Sequence, residues 1–308
     1  MNYSAISFPG LGLELNPGTA IGIGSLSIRY YGIAIALGLM LAFIYGCRRG
    51  KDFGIKLEDI TDGVLCIVPF AVLCARLYYC IFQWEHYKDN LISILYIWEG
   101  GLAIYGGVIG AAIGVIVFSK VKKIRVGAVL DITSLGFLIG QSLGRWGNFF
   151  NREAFGAETE SFLRMGLYKK VTESGAIINS SVMYFYHPTF LYESLWNAAG
   201  FVLLHFLSKK RKYDGQVALM YVAWYGLGRT FIEGLRTDSL YWGDFRVSQL
   251  LAAFSCFAAV SAMLYFYYFK RPNPANMQVR IYQRQQKEAE KAARKAVKNA
   301  EKSAEKND

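Results

Sequence analysis

Histidine is scarce in this chain. Only His86, His187 and His205 occur, and none stands at a Cys–His spacing that would hold zinc, so a histidine-rich metal centre is not expected. Cysteine is also sparse and odd in number. Cys47, Cys66, Cys74, Cys80 and Cys256 all lie within or beside apolar segments, which reads as small buried hydrophobes and excludes a disulfide framework. Clustered aspartates of the kind metal-dependent phosphotransfer uses are missing; Asp59 and Asp62 stand without company. No internal repeat is visible, which argues against the paired halves of many transporters. The N-terminus has no basic stretch before a short apolar core and no small-residue cleavage site. Residues 1–27 are glycine-rich, with Glu14 the only charge before Arg29, and read as an uncleaved pre-helical segment.

What is abundant is apolar. Of 308 residues, 54% are hydrophobic and 16% aromatic, and the mean hydropathy is +0.24; a soluble domain does not carry that much, so a membrane protein is expected. The formal net charge of +11 invites a nucleic-acid reading. The basic residues instead sit in short clusters between apolar segments, as membrane topology requires.

A spanning helix needs roughly 20 mostly apolar residues. Seven segments qualify, at about 26–47, 62–82, 102–119, 127–143, 189–207, 216–234 and 247–269. Arg48, Arg49, Lys51 and Lys56 follow the first; Lys120, Lys122, Lys123 and Arg125 the third; Lys209, Lys210, Arg211 and Lys212 the fifth; Lys270 and Arg271 the last. Alternate connections carry these clusters, which places the N-terminus outside and the C-terminus inside. The fold class expected is therefore an all-α polytopic membrane protein of about seven transmembrane helices. A small external subdomain or lid is expected between the fourth and fifth, over about 144–188. Residues 1–270 form the membrane domain and 271–308 a charged cytoplasmic tail. From Gln283 to Asp308 that tail is a low-complexity run of Lys, Glu, Ala and Gln without an apolar stripe, either a solvated helix or disordered, with basic residues suited to anionic headgroups.

Glycines at spacing four, Gly106-Gly110-Gly114 and Gly136-Gly140-Gly144, mark close helix packing or room for lipid. Gly140-Gln141-Ser142-Leu143-Gly144 matches the serine-hydrolase elbow Gly-x-Ser-x-Gly. That motif needs a strand, a sharp turn and a helix. Here it lies inside an apolar helical stretch, and His205 falls near the wrong end of its segment, so a Ser142 nucleophile is not expected.

Three polar runs interrupt the hydrocarbon pattern, where charge is expensive and kept for a purpose. The first, residues 144–156, crowds Arg145, Asn148, Asn151, Arg152 and Glu153 against the end of the fourth segment and closes with Gly156. A guanidinium presents a planar, permanently charged fork suited to phosphate oxygens, and the asparagines suit glycerol hydroxyls or ester carbonyls. In the second, Tyr225, Arg229 and Glu233 are four apart and share one helical stripe. In the third, Pro188 opens the fifth segment and holds His187 at its mouth, ahead of Tyr192 and Glu193. The structural alternatives are interfacial ion pairs and a helix-start motif; for Arg152 a structural role is the expectation.

The run from Gly144 to Gly156 resembles the signature of the bacterial prolipoprotein diacylglyceryl transferases, roughly Gly-Arg-x-Gly-Asn-Phe-x-Asn-x-Glu-x-x-Gly, with every fixed position filled. The Tyr225/Arg229/Glu233 register and His-Pro-x-x-Leu-Tyr-Glu are similar to the same family, and the likeness covers roughly residues 25–270. Tyr31, in Arg29-Tyr30-Tyr31-Gly32, matches a functional tyrosine of the family. One departure occurs: where many members carry His before Gly-Gly, this chain has Tyr105 ahead of Gly106 and Gly107. A phenol with a pKa near ~10 is a poor base but a good hydrogen-bond donor.

The resemblance implies transfer of the diacylglyceryl group of phosphatidylglycerol onto a cysteine thiol in the signal peptide of a prolipoprotein, at the outer face of the bacterial cytoplasmic membrane. A thioether forms and glycerol phosphate leaves. No metal or organic cofactor is implied. Lipid binding falls to Tyr31, Arg145, Asn148, Asn151, Glu153, Gly156, Tyr225 and Arg229. Arg145 and Arg229 are placed to stabilise the leaving phosphate. The proton acceptor, if one is needed beside two arginines, is His187 first, then Glu233 or Tyr105. The competing classes are a lipid or solute transporter and a phospholipase-type enzyme.

Overall fold

The computed structural model describes residues 5–23, 26–172, 176–237, 239, 241–243, 245–270 and 272–304. Arg271 of the last expected basic pair and residues 305–308 of the tail lie outside them. Nine α-helices are described: α1 (Tyr30–Phe53), α2 (Leu57–Phe82), α3 (Trp84–Tyr87), α4 (Ile104–Val121), α5 (Val126–Asn151), α6 (Thr189–Ser208), α7 (Gln216–Leu235), α8 (Val247–Tyr268) and α9 (Gln278–Ala304). A long helix stands at each of the seven expected places. Six of these, α1, α2, α4, α5, α6 and α8, are long and apolar enough to cross a membrane. Helix α7 is outside that set, because Tyr221, Trp224, Tyr225, Arg229 and Glu233 displace apolar residues from its length. Side chains such as Leu65, Ile81, Phe254 and Phe257 are about two-thirds exposed, which water would penalise and hydrocarbon would not.

The expectation of an all-α protein is corrected by eight strands among the described residues: β1 (Ile6–Phe8), β2 (Leu13–Leu15), β3 (Ala20–Ile23), β4 (Leu26–Arg29), β5 (Met165–Val171), β6 (Ile177–Tyr186), β7 (Tyr241–Trp242) and β8 (Phe245–Arg246). Four of them form one sheet in the order β2-β1-β5-β6. Residues 6–15 are thus sheet partners of the segment between α5 and α6, not only a lead-in to the first helix. The β-branched and aromatic residues of β6 pair in register with β5 from Met165↔Tyr186 to Val171↔Ile177, with an irregularity between Leu167 and Lys169. Beneath the sheet Ile6, Phe8, Phe149, Phe155, Met165, Leu167, Tyr186 and Phe190 make one buried apolar cluster. The Tyr186 hydroxyl donates to the Lys169 carbonyl, and burial pushes that phenol up to about 12.

Two helix boundaries also move. The first helix starts at Tyr30, since residues 26–29 pair as β4 with β3. The fourth runs to Asn151, so Gly144–Asn151 are the last two turns of α5 and not the start of an external segment. The helix stops where Arg152 and Ala154 take φ of 54°.

The chain divides into two compact units. The first holds Met1–Ile44, Ser134–Lys210 and Val217–Arg271; the second holds Tyr45–Thr133, Arg211–Gln216 and Pro272–Asp308. In the first, Trp196 and Trp224 stack at 4.3 Å and each indole donates to the other's carbonyl at 3.0 Å, which locks α6 to α7. In the second, a Cβ added at Gly106 would lie 2.6 Å from the Cys74 carbonyl, and one at Gly110 2.5 Å from Cys74 Cβ. That glycine ladder is a packing face for α2. The other ladder is mixed: a Cβ on Gly136 would touch Ala42 at 3.4 Å, while Gly140 and Gly144 face open space.

Candidate active site

The first unit gathers the polar residues of α5, α6 and α7 into one charge cluster centred on Glu193. Arg145, on the penultimate turn of α5, donates through Nη2 to Glu193 Oε1. Arg229, on α7, donates through Nη1 to Glu193 Oε2 at 3.0 Å and pairs through Nη2 with Glu233 Oε2 at 2.5 Å. Arg236 Nε lies 4.0 Å from the same Glu233 oxygen, and Ser239 Oγ donates to Glu233 Oε1 at 2.9 Å. The carboxylates are nearly closed to solvent, with side-chain exposures of 3% for Glu193 and 2% for Glu233, whereas the Arg145 and Arg229 side chains keep 22% and 15%. The cluster therefore turns guanidinium surface outward and hides its acids.

Local sequence explains the placement. Arg229 and Glu233 meet because they are four apart on one helix. Glu193 is carried in the first turns of α6, started by Pro188. Ser142 Oγ donates to the Ser194 carbonyl at 2.9 Å and Trp146 Nε1 donates to Ser194 Oγ at 3.2 Å, which hold α5 against α6 at this level. Ser142 is thus a helix-packing hydroxyl inside α5. Tyr225, one turn before Arg229, stacks on Tyr221 at 5.9 Å. The Tyr221 hydroxyl in turn accepts from Gln141 Nε2 at 3.0 Å.

The rest of the signature builds the rim. Asn148 Oδ1 accepts from Arg145 Nη1 at 3.3 Å. The Nδ2 groups of Asn148 and Asn151 both donate to Glu153 Oε1 at 3.1 Å. These amides position a carboxylate in this structure, a use that residue type alone does not indicate. Arg152 is buried and donates to the carbonyls of Pro17 at 2.7 Å and Phe150 at 3.2 Å; burial lowers its pKa, in keeping with the structural role expected of it. The ring of Tyr31 lies on Gly147, where a Cβ would come within 2.9 Å of Cε2.

Gly156 sits at a backbone junction. Its N–H donates to the His187 carbonyl at 2.9 Å, Ala157 N–H to Leu235 at 2.7 Å, and His187 N–H to Ala157 at 3.0 Å. A Cβ there would lie 2.7 Å from His187 Cβ and 2.8 Å from the Leu235 carbonyl oxygen, so only glycine lets these strands of chain close up. His187 Nδ1 lies 3.3 Å from the Tyr192 hydroxyl. Burial lowers the imidazole pKa, which keeps it neutral at pH 7.

The structure brings together Tyr31, Arg145, Asn148, Asn151, Glu153, Gly156, His187, Tyr225, Arg229 and Glu233 within the first unit. Tyr105 belongs to the second unit, in the first turn of α4 with an exposed ring. Glu193 was legible only as the last residue of the His-Pro-x-x-Leu-Tyr-Glu run; that it is the hub was not, since its partners stand 48 and 36 residues away. Among the described residues no group of three or more His, Cys, Asp or Glu side chains is arranged to hold a metal ion.

A second feature supports the segment that leads to Tyr105. Arg76 of α2 is 5% exposed and donates to five backbone carbonyls, of Ser93, Ile94, Tyr96, Gly100 and Gly101, at 2.6–3.3 Å. Its guanidinium also lies over the Tyr87 ring. One buried arginine thereby shapes residues 93–101, with Gly100 and Gly101 at φ of 95° and 73°.

Fold and site together define a polytopic helical membrane protein whose helices α5, α6 and α7 enclose an arginine-rich, charge-compensated site. The model of the prolipoprotein diacylglyceryl transferase family matches residues 18–265. The chain is 43% identical over 258 residues to a phosphatidylglycerol–prolipoprotein diacylglyceryl transferase of Listeria welshimeri, covering 83% of this chain and 92% of that one. It is 42% identical over 257 residues to the protein of that name from Ligilactobacillus salivarius, covering 82% and 93%. With the one from Bacillus cytotoxicus the identity is 44% over 236 residues, 76% and 86% of the two chains. The chain belongs to the prolipoprotein diacylglyceryl transferase family.

Proposed function

We propose that this protein transfers the diacylglyceryl group of phosphatidylglycerol to the thiol of a cysteine near the signal-peptide cleavage site of a prolipoprotein. The cysteine sulfur attacks the glyceryl carbon that carries the phosphodiester. A carbon–sulfur bond forms, the carbon–oxygen bond to phosphate breaks, and glycerol phosphate departs with the electron pair. The thiol proton passes to solvent or to a neighbouring base.

The observation that carries this reading is the pair of guanidinium groups, Arg145 and Arg229, held side by side on the buried Glu193 carboxylate. A phosphodiester has one negative charge and gains another as it leaves. Guanidinium groups already fixed by buried carboxylates need no reorganisation to meet it. A free thiol has a pKa of about 8.5, and positive charge lowers it, so a share is thiolate at neutral pH. His187, neutral and at the mouth of α6, is the first candidate for taking the proton. Glu233 is spent on Arg229, Arg236 and Ser239.

The membrane arrangement belongs to the same proposal. Seven helices span the bacterial cytoplasmic membrane, with the N-terminus outside and the C-terminus inside, and α7 shields its charges among its neighbours. The site faces the outer leaflet, the β1/β2/β5/β6 sheet forms the external subdomain, and residues 271–308 extend from the membrane domain as a cytoplasmic tail. The basic connections after α1, α4 and α6 support this orientation.

The test is release of labelled glycerol phosphate from head-group-labelled phosphatidylglycerol by the purified protein, with a lipoprotein-type cysteine peptide and with its Cys→Ser counterpart. Release that needs the thiol is expected. Release with the serine peptide or with none would make the protein a phospholipase, and no release by the folded protein would favour transport.

A further inference from the structure

Helix α9 carries an ordered charge pattern that the transfer reaction does not use. At 3.6 residues per turn, Arg280, Arg284, Lys287, Lys291, Arg294 and Lys295 fall within an arc of roughly 100° on one face. Glu288 and Glu290 stand at its margins, and Tyr282, Ala289, Ala293 and Ala296 lie opposite. Lys298 and Lys302 continue the spacing in the sequence. All six basic residues of the arc are exposed. Among the described residues none has a carboxylate within 4.0 Å. Like charges along a single-sign stripe of this kind repel one another in water.

The root of the helix is fixed. Gln278 N–H donates to Asp214 Oδ2 at 2.8 Å, its Oε1 accepts from Arg125 N–H at 3.1 Å, and its Nε2 reaches the Gly54 carbonyl at 3.4 Å. Arg125 also pairs with Asp214 at 3.4 Å and bonds to the Asn276 carbonyl. The first turn is thus tied to the connections after α1, before α5 and between α6 and α7, all within the second unit. Only residues 269–277 separate it from the last residue of α8. A stripe that starts at the ends of membrane-length helices starts within a Debye length of headgroups.

We propose that the basic stripe of α9 lies on an anionic lipid surface and holds the helix parallel to it. The inference rests on the reading that these helices span a bilayer. Each Lys or Arg near such a surface strengthens attachment roughly fivefold, so six together outweigh two marginal glutamates.

The test is hydrogen–deuterium exchange over 283–296 in the full-length protein in nanodiscs of phosphatidylcholine alone or with phosphatidylserine, which supplies charge without phosphatidylglycerol. Exchange at least about tenfold slower in the anionic discs is expected, with the effect reversed by 0.5 M salt. Lys287→Glu with Lys291→Glu keeps helix propensity and is expected to return exchange to the neutral-disc rate, while Ala289→Glu leaves protection in place. Equal exchange in both discs overturns the proposal. So does protection that rises with protein concentration, which would mean a second copy on the alanine face, or protection given only by added polyuridylate. Failure of the protein to enter discs would instead remove the membrane reading beneath it.

Discussion

Replacing Glu193 by glutamine tests the charge cluster at its hub. Among the described residues Glu193 is the one carboxylate paired with both Arg145 and Arg229. Glutamine keeps the shape but removes the charge and turns an NH2 towards one guanidinium. Removing one partner of a fully buried pair costs about 3–5 kcal/mol. The arginine side chains retain 22% and 15% exposure, so water screens part of the loss and about 2–3 kcal/mol is the expectation. If the arginines must be held in place for the transition state, that lowers kcat/KM by roughly 30- to 150-fold. The assay is thiol-dependent release of glycerol phosphate, run beside thermal unfolding of wild type and Glu193→Gln, with Arg229→Met and the double variant to close the cycle. A Glu193→Gln protein within twofold of wild type, or perfectly additive with Arg229→Met, would refute the view that Glu193 organises the site.

Other outcomes follow from the same contacts. His187 is depressed below its ordinary value near ~6.5, so the folded state binds fewer protons than the unfolded one just below that pH; its contribution to stability is full above ~6.5 and is lost as pH falls through the depressed value. If His187 takes the thiol proton, the rate profile has an acid limb below ~6.5 that His187→Gln abolishes. An unchanged profile would assign the proton elsewhere. Gly156→Ala puts a methyl 2.7 Å from His187 Cβ and 2.8 Å from the Leu235 oxygen; a loss of about 1–3 kcal/mol in thermal unfolding and a fall in activity are expected. Arg76→Met strands five backbone carbonyls and is expected to cost about 3 kcal/mol or more and to speed hydrogen exchange over residues 91–103.

The helices were legible because a bilayer demands long apolar runs, and the basic clusters marked alternate connections. The site residues on α7 were legible as a stripe, since Arg229 and Glu233 are neighbours through helix periodicity alone. Glu193 was not, because its meeting with Arg145 and Arg229 depends on how three helices pack. The end of α5 was misplaced for a related reason: Arg145, Asn148 and Asn151 look like loop residues, yet they are helical because their side chains find partners in Glu193 and Glu153. The sheet was hidden because β1 and β2 are three residues each, and β1 joins them to β5 through Ser7 and Gly166, some 160 residues apart. The anchored root of α9 was equally hidden, since Gln278 owes its burial to Gly54, Arg125 and Asp214 and to nothing in its own composition.

The measurement that tests the central claim most directly is the intact mass of the cysteine peptide after incubation with phosphatidylglycerol, taken together with the glycerol phosphate released, for wild type and Arg145→Ala. One diacylglyceryl group gained per glycerol phosphate released by wild type, with both lost in a folded Arg145→Ala protein, is the expected result. Release without mass gain, or full transfer by Arg145→Ala, would contradict it.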